Sequence, residues 1–206
     1  MSTLSNGEIA AAYADLRARC IEVGRSITTD QAAAPTQCCP AWSVKDTLAH
    51  LSGINADIVS GNTEGAGTEP WADAQVEARR GHSLEDVCAE WEANAPAIDE
   101  LLTAMGAKMP ALLYLDAWTH EWDIRQATGV GAKPDMRLLD HAWDTLIGQI
   151  EEQNGGPLEV ELDRFELARL SMGRRSRAQV EALGLRPDGV VLWTPNERDI
   201  VDAPQL

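Results

Sequence analysis

Positive charge is scarce in this chain. Its 206 residues hold 17 Lys and Arg against 33 Asp and Glu, a formal charge of −16 at neutral pH and a pI near 4.5. Such a field repels phosphate backbones and anionic lipid, which argues against nucleic acid or a membrane surface as partner. Long apolar runs are missing as well, and nothing approaches the roughly 20 residues that a spanning helix requires. The opening residues, MSTLSNGEIA, carry neither the basic nor the apolar region of a signal peptide, so a cytoplasmic protein is expected. Cysteine is limited to Cys20, Cys38, Cys39 and Cys88, with no CxxC pair. The vicinal Cys38-Cys39 is poorly spaced for zinc and strained for a bridge, so reduced core or loop thiols are expected. No P-loop, GxGxxG or GxSxG occurs, which leaves nucleotide binding and hydrolase-elbow chemistry without support.

What is present is mostly helical periodicity. Residues 7–24 place Ile9, Tyr13, Leu16, Cys20 and Val23 at three- and four-residue spacing, one stripe of a helix. Pro35 and Pro40 bracket a loop. Ser43 then opens a second helix, with Asp46 at the reciprocal capping position and apolar residues at 44, 48, 51, 54 and 58. Residues 61–70 are Gly-rich and polar, a loop long enough to act as a lid. Ser83 and Asp86 cap a third helix to about Met105, with Pro96 predicting a kink or break. A fourth spans roughly 109–128 before Gly129, and a fifth begins near Pro134 and runs to about Gln153.

The pattern changes at Asn154-Gly155-Gly156-Pro157. Leu158, Val160 and Leu162 alternate with glutamates, a strand period. A helical stretch to about Leu183 follows, then the turn at Arg186–Gly189 and a short strand over 190–193. The expectation is a mainly α chain: a helical bundle over 1–153 with a small α/β extension over 154–206.

The fourth helix interrupts its own apolar stripe. At 100° per residue, Asp116, His120 and Asp123 fall among Met109, Leu112, Leu113, Ile124 and Ala127. Three ionisable groups facing a core need partners. Asp116 and His120, four apart, lie one turn apart on one face, a spacing that serves either to grip one metal ion or to form a buried ion pair. His50, at the edge of the second helix's stripe, could reach such a site; spacing does not decide. His82 reads as exposed and His141 as interfacial. Glu121 points about 100° from His120 and lacks the second histidine of HExxH, so it is a poor metalloprotease base.

One basic patch stands out. Residues 164–177 hold Arg164, Arg169, Arg174, Arg175 and Arg177 against Glu166 alone, a local +4. These arginines either clamp the tail onto the acidic bundle or recognise a carboxylate, and the guanidinium fork suits both. Trp occurs seven times against two Tyr and one Phe, and Trp42, Trp118 and Trp122 flank the histidines in sequence, as core or pocket residues.

Three blocks carry a family resemblance. Pro40-Ala41-Trp42-Ser43-Val44-Lys45-Asp46-Thr47-Leu48-Ala49-His50-Leu51 resembles the P-x-W-[ST]-V-x-D-x-x-x-H-L block of the DinB-like bundle proteins, within them the mycothiol-dependent maleylpyruvate isomerases. Asp116-Ala117-Trp118-Thr119-His120-Glu121-Trp122-Asp123-Ile124 is similar to that group's second metal block, and Gly173-Arg174-Arg175-Ser176-Arg177-Ala178-Gln179 to its GRRS-x-x-Q stretch.

The resemblance implies an up-and-down four-helix bundle binding a divalent metal, commonly zinc, through His50, Asp116 and His120. Here Asp116 stands where the isomerases commonly carry Glu, and the tail is short beside their C-terminal domain. The activity implied is addition or transfer of a low-molecular-weight thiol, typically mycothiol, to a small electrophile, as an S-transferase or cis–trans isomerase. Arg174 or Arg175 would hold a substrate carboxylate, Arg174 and Arg177 an anionic part of the thiol, and Asp123 would orient a ligand. The alternatives are a metal-dependent hydrolase that uses water in place of thiol, and a non-catalytic bundle that binds a small molecule. A homodimer also stays open.

Overall fold

The computed structural model describes residues 4–106, 108–131, 136, 138–159 and 162–202. Among these, helices α1 (Asn6–Ser26), α3 (Val44–Ser60), the pair α5 (Leu84–Ala93) and α6 (Ala95–Ala104), and α7 (Lys108–Thr128) build an up-and-down four-helix bundle. In it α1 packs on α5, α6 and α7, while α3 packs on α5, α6 and α7. The third rod is broken at Asn94, which ends α5 and caps α6, with Pro96 in the first turn of α6. Proline has no N–H to donate, and the first turn of a helix is where that loss costs least. The expected kink is therefore a full restart.

Local sequence sets the start of α3. Ser43 accepts from the Asp46 amide, while the Asp46 carboxylate accepts from the Ser43 amide at 3.0 Å, a complete capping box. The preceding loop is tied down by backbone bonds from Thr36 to Trp42 and from Val44 to Ala34. Trp42 and the first turn of α3 are thus held in a fixed relation, and His50 lies two turns further along.

Three further pieces complete the frame. A short helix α2 (Thr29–Ala32) leads from α1. Helix α4 (Glu69–Ala78) occupies part of what the sequence presents as loop; the loop itself is 61–68. Helix α4 was illegible because only Gln75 and Val76 of its residues are buried, so it has no apolar stripe. It lies against α3 where Gly53 leaves room, since a Cβ there would sit 2.6 Å from the Gln75 Cβ.

The C-terminal part is α8 (Leu139–Asn154), α9 (Arg164–Ser171), α10 (Arg177–Ala182) and α11 (Pro187–Val190). Helix α8 packs on α7, and α9 and α11 pack on α8. Leu167, Leu170, Val180 and Val190 join the same apolar core as the bundle.

The expected α/β character of the tail is corrected: no strand forms among the described residues, which hold only isolated bridges, Pro35 with Ser43 and Ser176 with Asn196. Residues 190–193 find no strand to pair with. Instead Pro187–Val190 makes one helical turn that brings Gly189 against Asn154, where a Cβ would lie 2.7 Å from the Asn154 Cα. The alternation over 158–162 includes residues 160 and 161, and the fifth helix's expected start at Pro134 likewise lies outside the described residues. No described helix is long and apolar enough to cross a membrane. All four cysteines are free thiols, Cys20, Cys38 and Cys88 buried.

Candidate metal centre

Helices α3 and α7 face each other across the bundle, and their facing turns carry His50, Asp116 and His120. One ligand atom from each lies within 4.8 Å of the others. Both imidazoles turn Nε2 toward the carboxylate: His50 Nε2 is 3.9 Å from Asp116 Oδ2, and His120 Nε2 is 3.7 Å from Asp116 Oδ1. These separations are too long for hydrogen bonds. They are close to the roughly 3.4 Å between two donors that share a tetrahedral zinc at about 2.1 Å each. Two nitrogens and one oxygen also form a donor set that zinc accepts with a position left open. The residues fit a divalent ion.

The electrostatics agree with that fit. Burial pushes the His50 imidazole down to about 4, and burial together with Arg174 holds His120 well below its usual value. Both rings are therefore neutral at pH 7, the state in which imidazole binds metal. Burial raises Asp116 to about 6, although Arg174 opposes the shift.

The surrounding groups differ for the two histidines. His50 Nδ1 is 2.8 Å from Gln75 Oε1 on α4. His120 lies between carboxylates, with Asp123 Oδ2 3.8 Å from Nδ1, and Arg174 Nη2 sits 3.1 and 3.3 Å from its two ring nitrogens. The Trp42 ring covers both imidazoles, 4.9 Å from His50 and 6.3 Å from His120 between centroids. Trp42 also lines a surface cavity of about 480 Å³ shared with Asp46, Asp73, Glu77 and Arg80. A larger groove of about 560 Å³ along α1 contains none of these donors, and its arginines are committed: Arg17 to Asp99, and Arg25 to Glu85 and Glu92.

The basic patch closes around Asp123. The side chains of Arg169 and Asp123 are each only 1 % exposed and meet at 2.6 Å. Arg174 reaches the other oxygen of Asp123 through Nε and Nη2 at 3.1 and 3.0 Å. Burial would raise the Asp123 carboxyl, but these two guanidiniums more than offset it and hold it low. Asp202, at the far end of the chain, accepts from Arg169, Arg175, Trp122 and Gln126. Arg175 is also bidentate to Glu166. Three arginines thus meet three carboxylates in one network that fastens the C-terminal segment to α7, which is the clamp alternative of the sequence reading.

Of the residues singled out in the sequence, the fold gathers His50, Asp116, His120, Asp123 and Arg174. Arg175 is turned toward Glu166 and Asp202, and Arg177 is exposed and paired with Asp188 at 2.7 Å; neither faces the histidines. Glu121 is buried among Arg19 and Arg125, away from the site. His82 is exposed. Gln75 and Asp202 carried no sequence signal, because each meets the site only through a distant pairing.

Fold and donor set together define a class: an α-helical bundle with a candidate two-histidine, one-carboxylate metal centre between two of its rods. The family model for the mycothiol maleylpyruvate isomerase N-terminal domain matches residues 13–125, and the chain belongs to that family. No curated protein and no solved structure matches it.

Proposed function

We propose that this chain is a divalent-metal-dependent enzyme, with zinc on His50, Asp116 and His120, that adds or transfers a low-molecular-weight thiol such as mycothiol to a small electrophile. S-transfer and cis–trans isomerisation are the two reaction types this covers. The observation that carries the reading is the spacing of the three donors, too wide for hydrogen bonds and suited to one shared cation. Membership in the mycothiol maleylpyruvate isomerase family supports the thiol. A divalent ion in this place would supply Lewis acidity, lowering the pKa of a thiol so that it is presented as a thiolate at neutral pH.

The protein's own groups have defined tasks in this reading. Neutral His50 and His120 offer lone pairs, and Asp116 supplies the one negative charge among the three donors. Asp123 acts on His120 through Arg174, whose guanidinium it holds against the ring, and Trp42 walls the site and limits water. Arg174 places a guanidinium edge against His120, so an anionic sulfur or carboxylate entering there meets positive charge rather than the acidic surface.

The test is metal content by plasma mass spectrometry on protein purified without a polyhistidine tag, beside His50→Ala. About one zinc per chain, lost in the variant, together with thiol-dependent turnover, is the expected result. Protein that neither carries zinc nor takes it up overturns the reading.

A further inference from the structure

Helix α4 lies outside the three sequence blocks that carry the family resemblance and outside the site as read from sequence, yet it sends one buried side chain to a donor. Gln75 is 2 % exposed. Its Oε1 lies 2.8 Å from His50 Nδ1, and its Nε2 donates to Asp57 Oδ2 at 2.7 Å. The order of atoms in this chain is forced. A carboxylate can only accept, so the NH₂ end of the amide must face Asp57. The carbonyl end must then face His50, and a carbonyl can only accept. His50 must therefore carry its proton on Nδ1, which leaves the lone pair on Nε2, the nitrogen that faces Asp116 and His120.

Asp57 is itself held in place. Its other oxygen accepts from the Asn62 amide at 2.9 Å, its backbone carbonyl accepts from the Asn62 N–H at 2.8 Å, and the Asn62 carbonyl accepts from Trp71 Nε1 at 3.1 Å. The close approach at Gly53 seats the stem of Gln75 directly on α3. His120 has no such selector. Arg174 Nη2 is nearly equidistant from its two nitrogens, and carboxylates stand on both sides. One imidazole is fixed in advance, and the other is free to adapt.

We propose that Gln75, oriented by Asp57, is a positioning residue that locks His50 in the Nδ1–H tautomer and so reserves Nε2 for the metal ion. Its role at the metal rests on the function proposed above; the tautomer itself does not. Without the lock, part of the population carries a proton where the ligand bond must form, and the ring is free to turn. Outer partners of metal-binding histidines are commonly worth about 10- to 100-fold in affinity.

The experiment is a long-range ¹H–¹⁵N correlation spectrum of ¹⁵N-histidine-labelled, metal-free protein at pH 7, paired with zinc affinity from chelator competition. Wild-type His50 should show a protonated Nδ1 and an unprotonated Nε2. Gln75→Leu should lose that pattern, and its zinc affinity should fall by about 10-fold or more. Asp57→Asn, a milder change that lets the amide rotate, should give a mixture of tautomers. Gln75→Glu combined with Asp57→Asn should restore the wild-type pattern, because a carboxylate at 75 accepts from both neighbours.

A wild-type His50 protonated on Nε2 overturns the proposal. So does zinc uptake with a tautomer and affinity that Gln75→Leu leaves unchanged, and that result keeps the metal reading. Protein that takes no zinc but shows the Nδ1–H pattern, lost in Gln75→Leu, overturns the metal reading and supports the tautomer lock.

Discussion

Replacing Asp123 by Asn tests whether the buried charge network carries the weight its geometry suggests. Asp123 is enclosed by Arg169 on one oxygen and Arg174 on the other. The amide keeps one acceptor but turns two N–H donors toward a guanidinium that can only donate. Removing one partner of a buried ion pair costs about 3–5 kcal/mol, since the stranded charge has lost its hydration without compensation. Arg169 keeps Asp202 and Thr119, whereas among the described residues Arg174 keeps the Met172 carbonyl and its contact with His120. The lower end, about 3 kcal/mol, is therefore expected, equivalent to a fall of about 6–12 °C in Tm for a chain of this size.

Denaturant melts with chelator present, so that metal binding does not enter, are the assay. A control removes the charges together: Asp123→Leu with Arg169→Met and Arg174→Met should lose less than Asp123→Asn, because no guanidinium of the triad is left stranded. A loss under about 1 kcal/mol, the scale of a surface pair, or a triple variant worse than the single, refutes the argument.

Two further predictions concern pH and packing. Burial would raise Asp202, but Arg169 and Arg175 hold it below the usual carboxylate range. A depressed folded pKa contributes stability above the unfolded value of about 3.9, and that stability is lost as pH falls through the folded value. The stability gap between wild type and Asp202→Asn, read from urea melts, should therefore be full at pH 7 and shrink below about pH 4; a gap independent of pH contradicts this. Gly53→Ala should force α4 away from α3, costing about 1–3 kcal/mol by overpacking and weakening zinc binding as Gln75 is displaced. Unchanged melting and affinity would show that the contact yields.

Sequence alone determined whatever depends on neighbours along one helix. Apolar spacing located α1, α3 and α7, and the Ser43–Asp46 and Ser83–Asp86 boxes marked where α3 and α5 begin. The i,i+4 spacing of Asp116 and His120 already put two donors on one face, because helix geometry fixes that relation whatever surrounds it. The three ionisable residues in the stripe of α7 announced that partners had to exist.

Which partners was a tertiary matter. His50 meets Asp116 across 66 positions only because α3 and α7 share an interface, and Gln75 meets His50 only because Gly53 lets α4 close on α3. The five arginines of residues 164–177 look alike in sequence. Packing of α9 and the segment around Asp202 against α7 sent Arg169 and Arg174 to Asp123, while Arg175 and Arg177 found other acids. Helix α4 was invisible because it has too few buried residues to show a period and is held in place by the surface it lies on. The turn at 186–189 was legible, and only the strand expected after it failed to form, because Pro187–Val190 closes into one helical turn against Asn154.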